Sequence, residues 1–299
     1  MKLSLVTILT ASLALAAWSP ALADDAPKVT LVEAGSGKLE ALRLAPKAGD
    51  KATVTMDMDM TMSMSFGGQT MPPQTVPTMR MGMDMVINEV KGEEFTTTFV
   101  YTKATVDDAA GLPEQAVETL RGVLGGLVGS EGHTTMTTRG FVKDGSFVPA
   151  EAADPQIKDM AASMEKQLTQ LAAPFPAEPV GVGAKWTVAM AVSNQGMVID
   201  QTAEYTLTKR EGNMVYLDVA ITQGAEAQTL STPQGEAKVN SVKSTGTGTV
   251  TIDLSLALPA AGNTKLNSAM SMEMDMQGQT VAMDTVTDMG LSLSSELKK

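Results

Sequence analysis

Methionine occupies every second position from Met56 to Met64, in the segment "MDMDMTMSM", and only Asp and Thr or Ser stand between. Successive side chains of a β-strand point to opposite faces, so this spacing puts the five methionines on one face. Asp57, Asp59 and Thr61 then share the other face. The segment therefore predicts a long strand with one covered thioether face and one wet, acidic face.

The same alternation recurs twice, and the three segments together hold thirteen of the 23 methionines. The chain has only 6 Phe, 3 Tyr and 2 Trp, so methionine must fill much of the interior. We expect the first two segments to form a hairpin through residues 67–78, and the third to lie beside either of them. The predicted inward set is Met56, Met58, Met60, Met62, Met64, Met79, Met81, Met83, Met85, Met270, Met272, Met274 and Met276.

Most of the remaining chain also alternates with period two, with Val, Thr, Tyr and Ile broken by Gly or Pro. A short hairpin is expected over Val29 to Leu44, around Gly35 and Gly37. Two helices interrupt the pattern, one over Pro113 to Val128 and one beginning near Asp154 and ending before Pro174. The predicted fold is mainly β: a curved antiparallel sheet or half-barrel with two inserted amphipathic helices.

Internal repetition suggests two pseudo-repeats. Residues 49–56 and 183–190 share five of eight positions, and residues 60–71 and 270–281 both run from alternating methionines into Gly-Gln-Thr. The predicted organisation is a signal peptide at 1–23 and a β-rich domain at 24–299. Half-repeats are placed at 24–150 and 175–299, with a helical insert at 112–173.

The N-terminal segment has the pattern of a secretory signal peptide. Lys2 precedes an apolar run, and Ala21-Leu22-Ala23 supplies small residues for cleavage before Asp24. The chain contains no Cys, and no later segment has the length and apolarity of a membrane-spanning helix. We therefore expect a periplasmic or secreted protein with no transmembrane segment after signal cleavage.

Charge narrows the possible partners. The chain carries a formal net charge of −12 at pH 7, and loss of Lys2 with the leader makes it more negative still. Such a surface repels nucleic acid and anionic lipid headgroups. No nucleic-acid partner is expected, and the sequence indicates no particular protein partner.

Two short boxes carry a resemblance to a known group of proteins. The segments "PVGVGAKWTV" (residues 179–188) and "LRLAPKAGDKATV" (residues 42–54) are similar to an uncharacterised bacterial envelope family of exported β-rich proteins. Such proteins look like the half-barrels of lipoprotein carriers, in which a curved sheet wraps helices around an apolar cavity. The resemblance implies this architecture and transfers no catalytic residue.

The methionine face has three interpretations that the sequence leaves open. It can be ordinary core, since a buried Met contributes about as much as Leu or Val. It can bind an apolar, lipid-like molecule, because flexible and polarizable thioethers adapt to varied ligands. It can bind Cu(I) or Ag(I), which thioethers select, with Met71, Met79 and His133 as candidate ligands. The second is the predicted function, and a sacrificial role in oxidation is less favoured.

No catalytic motif is present, so we expect a non-enzyme that needs no cofactor. His133 is the only histidine and follows a Gly-rich turn, which is typical of a surface position. Asp57, Asp59, Asp84, Glu273 and Asp275 share the face opposite the methionines, where carboxylates usually meet solvent and discourage edge-to-edge pairing. Trp186, at the start of a predicted strand, is interpreted as a packing anchor.

Overall fold

The computed structural model describes most of the chain after the predicted signal peptide. The described residues are 26–107, 112–151, 153, 174–194, 197–232, 235–257, 259–276 and 279–298. The predicted signal peptide and the second predicted helix lie outside these ranges.

The described residues form sixteen strands and one helix. The first predicted helix is confirmed as α1 (Glu114–Gly125), so the structure describes one of the two expected helices. The strands are β1 (Lys28–Glu33), β2 (Ser36–Glu40), β3 (Lys51–Phe66), β4 (Gln69–Thr70), β5 (Gln74–Lys91), β6 (Glu94–Val106), β7 (Glu131–Thr137), β8 (Val142–Val148), β9 (Val180–Val182), β10 (Lys185–Asn194), β11 (Met197–Glu211), β12 (Met214–Ala225), β13 (Gln228–Thr232), β14 (Gly235–Asp253), β15 (Ala261–Met276) and β16 (Gln279–Lys298).

Fourteen of these strands belong to one antiparallel sheet, which confirms the mainly β prediction. Its order is β1-β10-β11-β12-β14-β15-β16-β3-β5-β6-β7-β8, with β13 beside β14 and β4 beside β3. Within the described residues the sheet is not closed. β2 and β9 pair separately, so the hairpin expected over Val29 to Leu44 is wrong: β1 joins β10, and β2 joins β9.

The three methionine segments all lie on long strands, as the alternation predicts. β3 and β5 pair directly, with Met58 opposite Met79 and Met56 opposite Met81. The third segment, on β15, pairs with neither of them, because β16 lies between β15 and β3. Residues 279–298 therefore join the methionine strands into one surface.

Two adjacent residues show that this sheet is strongly curved. The Leu44 amide donates to the Thr138 carbonyl at 2.7 Å, and the Ala45 amide donates to the Leu254 carbonyl at 2.6 Å. Thr138 follows β7 and Leu254 follows β14, which lie six strand positions apart. In a flat sheet that separation would be about 29 Å, whereas consecutive Cα atoms are about 3.8 Å apart. The sheet must curl so that residues 42–45 bridge both strand ends.

Glycines allow the close approach of β14 and β15. A Cβ at Gly246 would lie 2.8 Å from the Lys265 carbonyl oxygen, and one at Gly248 would meet the Asn263 carbonyl oxygen. Any larger side chain at these two positions would push the strands apart. The "TGTGT" run in β14 therefore belongs to the bend of the sheet.

The first repeated box occupies equivalent places in the two halves of the sheet. Gly49 precedes β3 with φ 89° and Gly183 precedes β10 with φ 85°, a left-handed conformation that favours glycine. The Gly49 amide donates to Ile87 on the adjacent strand at 2.8 Å, and the Gly183 amide donates to Leu207 on its adjacent strand at 2.7 Å. The two copies thus start structurally matched strands.

The matching continues beyond the repeated box. The Thr138 amide donates to the Glu93 carbonyl at 2.8 Å, and the Leu254 amide donates to the Asn213 carbonyl at 3.0 Å. Both acceptors lie in the two-residue turns that join β5 to β6 and β11 to β12. The second echo, between residues 60–71 and 270–281, relates β3 to β15, which do not occupy equivalent places in the two halves.

One apolar cluster fills the concave side of the curved sheet. It joins strands from both ends of the sheet order, including Trp186 and Tyr205 on one flank and Phe99 and Phe147 on the other. Trp186 is 1% exposed and stacks on Tyr205 with ring centroids 5.5 Å apart. Its interpretation as a packing anchor fits this position.

Helix α1 covers part of the same cluster beside β6. Its apolar stripe buries Val117, Leu120 and Leu124, and Leu127 follows in the next turn. Val128, expected on this stripe, is exposed. The helix ends at Gly125, where "GG" favours termination.

Candidate ligand-binding site

The inner face of the sheet is the face that carries Met58, Leu217 and Trp186. This face continues across β15, β16 and β3, where the inner residues Leu266, Met289 and Met60 are successive cross-strand partners. All thirteen predicted methionine positions lie on this face by strand alternation. The side chain of Met276 is outside the described set.

Towards the base of the sheet the methionines form closed core. Met58 is 0% exposed, Met81 2% and Met79 3%. Met60, Met83, Met85 and Met289 are also buried. A cavity beside Val54 and Met85 has a volume of about 10 Å³, room for about one water-sized sphere. This part of the face is packed, as the core interpretation requires.

Towards the tips of β3, β15 and β16 the same face becomes partly exposed. The residues that share this environment are called the tip cluster. They are Met64, Phe66, Met270, Met272, Met274 and Met283. Met62 is partly exposed as well, and so is Met56 nearer the base, whereas Val239, Val242 and Thr285 on the tip side of this face are buried. One methionine face therefore has a closed part and an accessible part.

Register fixes the arrangement of the tip cluster. Met272 and Met283 are direct cross-strand partners, and Phe66 pairs with Met283 from the other side. Met270 pairs with Thr285, which in turn pairs with Met64. Direct partners have Cβ atoms about 4.5–5.5 Å apart, and same-face neighbours on one strand lie about 6.7 Å apart. The cluster is a largely apolar surface three strands wide, in which the buried Thr285 lies between Met270 and Met64.

The inner face carries no formal charge over a wide area. From β12 to β6, across β14, β15, β16, β3 and β5, the described inner positions hold no Asp, Glu, Lys, Arg or His. The one ionisable group among them, the phenol of Tyr101, has its pKa raised to about 12 by burial. Burial likewise raises the pKa of Tyr205 to about 12, so both phenols are neutral at pH 7.

The outer face is acidic, and its carboxylates are paired across strands. Arg80 donates to Asp57 through two hydrogen bonds of 2.8 and 3.0 Å, which raise the pKa of Arg80. Lys298 lies 2.7 Å from Asp84 and lowers the pKa of Asp84, with help from Thr53. The described residues contain no group of three or more carboxylates and imidazoles suited to a metal ion. The acidic residues thus form a solvent-facing surface in which some carboxylates are ion-paired across strands.

An open groove of about 830 Å³ also lies on this outer face. It crosses β14, β15, β16, β3 and β5, and two rows of outward side chains line it. Asp59, Asp288 and Lys265 are its charged members in those rows, and Asn267 donates to Asp288 at 2.8 Å. Its lining mixes polar and apolar atoms, and Met60 and Met289 of the methionine face also border it.

The residues named as alternative metal ligands do not converge. Met79 is buried on the inner face, whereas His133 lies on the outer face of β7, with Nδ1 3.0 Å from Thr98 Oγ1. Their positions differ by two strands and about seven residues, or roughly 25 Å. Met71 lies next to Met64 and is partly exposed. Of the three, only Met71 is near the tip cluster.

Sequence reasoning missed the residues that β16 adds to this site. Met283 completes the tip cluster and Met289 the closed core, and both lie in "TVAMDTVTDMGLSLS", which was assigned only as a strand. Alternation in that segment puts Met283, Thr285, Thr287 and Met289 on one face. The missing information was the strand order, which brings β16 between the two methionine strands.

Comparisons with known proteins give a partial match to one family and no function. Residues 160–259 match a family of unknown function (DUF6263). This match covers a third of the chain and fits the expected resemblance to an uncharacterised family. No curated protein matches the sequence.

Similarity to solved structures is weak. OmpF of Salmonella typhi in complex with daunomycin aligns with 81% of this chain and 98% of its own, at 7% identity and a TM-score of 0.22. A mutant porin of Rh. blastica covers 79% and 99%, at 10% identity and a TM-score of 0.21. At such scores these alignments carry no argument about this chain. Among the described residues, no helix has the length and apolarity needed to cross a membrane.

Proposed function

We propose that this protein is a non-catalytic, periplasmic or secreted binding protein for an apolar, lipid-like molecule, which contacts the tip cluster. The observation that carries the proposal is the change in exposure along one continuous methionine face. Met58 and Met81 are closed core, but Met64, Met270, Met272 and Met283 remain partly exposed on the same surface. A purely structural role for the face would favour closing both parts alike.

Methionine suits the accessible part of such a surface. Its unbranched side chain has three rotatable bonds and a polarizable sulfur, so it adapts to ligands of different shape. Val and Ile fit strands better and would specify a fixed core more firmly. In this proposal, apolar ligand contacts continue the packed core outward, in the manner of the half-barrel carriers that the chain resembles.

The direct test is ligand capture by the whole chain purified from its native host. Native mass spectrometry and organic extraction should reveal a bound apolar molecule, and the delipidated protein should bind a fluorescent dye such as N-phenyl-1-naphthylamine. Absence of both a bound molecule and dye binding would refute the proposal.

A pair of charge-introducing variants tests the location of the site. Met272→Glu places a carboxylate in the tip cluster and should weaken dye binding at least about tenfold, equivalent to about 1.4 kcal/mol. Ala269→Glu adds the same side chain to the outer face of the same strand, opposite Lys243, and serves as the control. Equal loss in both variants, or loss in neither, would place the dye elsewhere.

The tip cluster also favours a second candidate function, the binding of Cu(I) or Ag(I). Met272 and Met283 are direct cross-strand partners, and Met270 and Met274 flank Met272 on β15. Three or four flexible thioethers at this spacing can reach a common ion, and thioethers select soft monovalent metals. This arrangement replaces Met71, Met79 and His133 as the candidate ligand set.

Volume-conserving substitution separates the two candidates. The double variant Met272→Leu and Met283→Leu keeps an apolar surface, so dye affinity should change less than about threefold. If the protein instead binds soft metal ions through these sulfurs, the double variant should lose Ag(I) uptake, which calorimetry measures. Met85→Leu, in the closed core, is the control for both measurements. A protein that binds neither dye nor Ag(I) would be left with a structural envelope role.

A further inference from the structure

A row of uncharged polar side chains crosses the inner face below the tip cluster. Gln201, Gln223, Ser244, Ser268 and Thr287 are successive cross-strand partners on β11, β12, β14, β15 and β16. Five adjacent strands span about 19 Å. We call these residues the polar row.

Apolar residues flank the polar row on both sides of the same face. Towards the tips, the next row includes Val242 and Met270 together with one polar residue, Thr285, and towards the base it includes Ile221, Leu266 and Met289. On β12, β14, β15 and β16 the polar row therefore lies between the tip side of the inner face and the closed core, whereas on β3 Met62 connects Met64 to Met60. A molecule that extends from the part of the tip cluster on β15 and β16 towards the core passes over the polar row.

The polar row is hydrogen-bonded but not saturated. Gln223 Nε2 donates to Gln201 Oε1 at 2.6 Å, and Ser244 Oγ lies 2.9 Å from Ser268 Oγ. An amide can make about four hydrogen bonds and a hydroxyl about three. These two bonds therefore use only part of the capacity of four side chains. A purely hydrocarbon ligand over this row would cover polar groups without bonding to them, which costs free energy.

Charge is disfavoured at the same place. The described inner positions from β12 to β6 offer no ionised side chain to pair with a charged ligand group. A carboxylate or ammonium taken out of water there would lose its hydration without gaining an ion pair. Ester, amide and hydroxyl groups, by contrast, can exchange hydrogen bonds with Gln and Ser at little cost.

We infer that the ligand is an electrically neutral amphipath, with an apolar chain on the tip cluster and ester, amide or hydroxyl groups over the polar row. This inference rests on the proposed apolar-ligand function and specifies the ligand class for the same site. The protein should therefore bind neutral acyl esters and amides in preference to free fatty acids and other lipids with charged head groups.

The test compares probes of one chain length on the delipidated whole chain. The affinities of monolaurin, dodecanoate and dodecyltrimethylammonium are measured by competition with N-phenyl-1-naphthylamine. Each probe is kept below its micelle concentration, at pH 8 and 0.5 M NaCl. High salt suppresses adsorption to the acidic outer face. Monolaurin should bind at least about tenfold more tightly than either charged probe.

A variant pair then tests the polar row. Ser268→Ala removes one inward hydroxyl, so monolaurin affinity should fall about 3- to 10-fold, as expected for one hydrogen bond. Ser271→Ala removes an outward hydroxyl from the same strand and should have no effect. Far-UV circular dichroism and the unfolding midpoint of both variants identify any loss that comes from misfolding.

The outcomes distinguish the two levels of the proposal. If neither the dye nor any probe binds, both the proposed function and this inference fail. If dodecanoate or the ammonium probe binds as tightly as monolaurin, only the inference of a neutral ligand fails. If Ser268→Ala and Ser271→Ala weaken monolaurin equally while the dye still binds, the polar row does not contact the ligand, and the inference fails in the same way.

Discussion

Truncation of one methionine in each part of the inner face should give very different losses of stability. Met58 is 0% exposed and lies between Met79 and Leu291 on the neighbouring strands. Met272 lies on the same face between Met283 and Val239 but is partly exposed. The same change to Ala therefore removes the same three heavy atoms from two different environments.

The expected magnitudes follow from what replaces those atoms. At Met58, loss of burial contributes about 2 kcal/mol, and the enclosed cavity adds about 1–2 kcal/mol, since core cavities cost about 24 cal/mol per Å³. Met58→Ala should thus lower the free energy of unfolding by about 3–4 kcal/mol. At Met272, water can enter the vacated space, so the cavity contribution disappears and the loss should be about 1 kcal/mol.

Guanidinium unfolding followed by circular dichroism measures both losses, with Met58→Leu as the volume-conserving control at less than about 1.5 kcal/mol. The decisive quantity is the difference between the two Ala variants. Equal losses would mean that Met272 is as enclosed as Met58. The tip cluster would then be closed core, and the reasoning that assigns it to a ligand would be refuted.

Three further changes test the fold and its charges. Gly248→Ala should destabilise the protein by about 1–3 kcal/mol in the same unfolding assay, because the new Cβ meets the Asn263 carbonyl oxygen; an unchanged midpoint would contradict the tight bend. Gly122→Ala, in open space on α1, should stabilise it by about 0.5–1 kcal/mol, and a loss instead would argue against the helix. Lys298→Ala should raise the pKa of Asp84, which NMR titration reports directly. Because the folded pKa is lowered, the stability from this exposed pair, less than about 1 kcal/mol, is present above the unfolded carboxyl pKa of about 3.9. It is lost as pH falls through the folded value, so wild type and variant should converge in acid, and a gap that persists there would contradict the pairing.

Local strand structure was predictable from this sequence because its signal is local. The alternation of residues 51–66 predicts β3 with its observed bounds, and the methionine segment from Met79 lies within β5. Successive side chains of a strand alternate between its two faces, whichever strand lies alongside, so the sequence alone assigns each residue to a face. The same reasoning predicted α1 to within one residue at its start and three at its end, from an apolar stripe that begins after Pro113.

Strand order was not predictable, because it depends on contacts between segments far apart in the chain. The pairing of β16 with β3 joins residues more than 200 positions apart, with Met289 opposite Met60. Nothing in either segment excludes a direct pairing of β3 with β15, since all three alternate and each supplies apolar partners. The expected hairpin at residues 29–44 failed for a related reason: Gly35 and Gly37 both adopt positive φ, but the flanking strands find β10 and β9 as partners instead of each other.

The candidate site depends on that order more than on any motif. The methionine alternation identified which side chains share a face, but the partner strands determine which of them are enclosed. Met58 belongs to the apolar cluster that fills the concave side, together with Met79 and Leu291, whereas Met272, near the hairpin tips, lies outside that cluster. The polar row is likewise invisible in any single segment: Ser244, Ser268 and Thr287 are ordinary strand residues until the register places them side by side.

Charge placement distinguishes the two faces of the sheet. The outer face concentrates the net negative charge of the chain, and cross-strand cations such as Arg80 pair only part of it. Copies of the protein therefore repel one another across the outer face, while the described inner positions from β12 to β6 carry no ionised side chain. The same separation of charge predicts that salt will weaken adsorption of cations to the outside but leave neutral-ligand affinity nearly constant. A strong salt dependence of monolaurin binding would mean that the molecule contacts the acidic outer face. The assignment of ligand binding to the inner face would then be wrong.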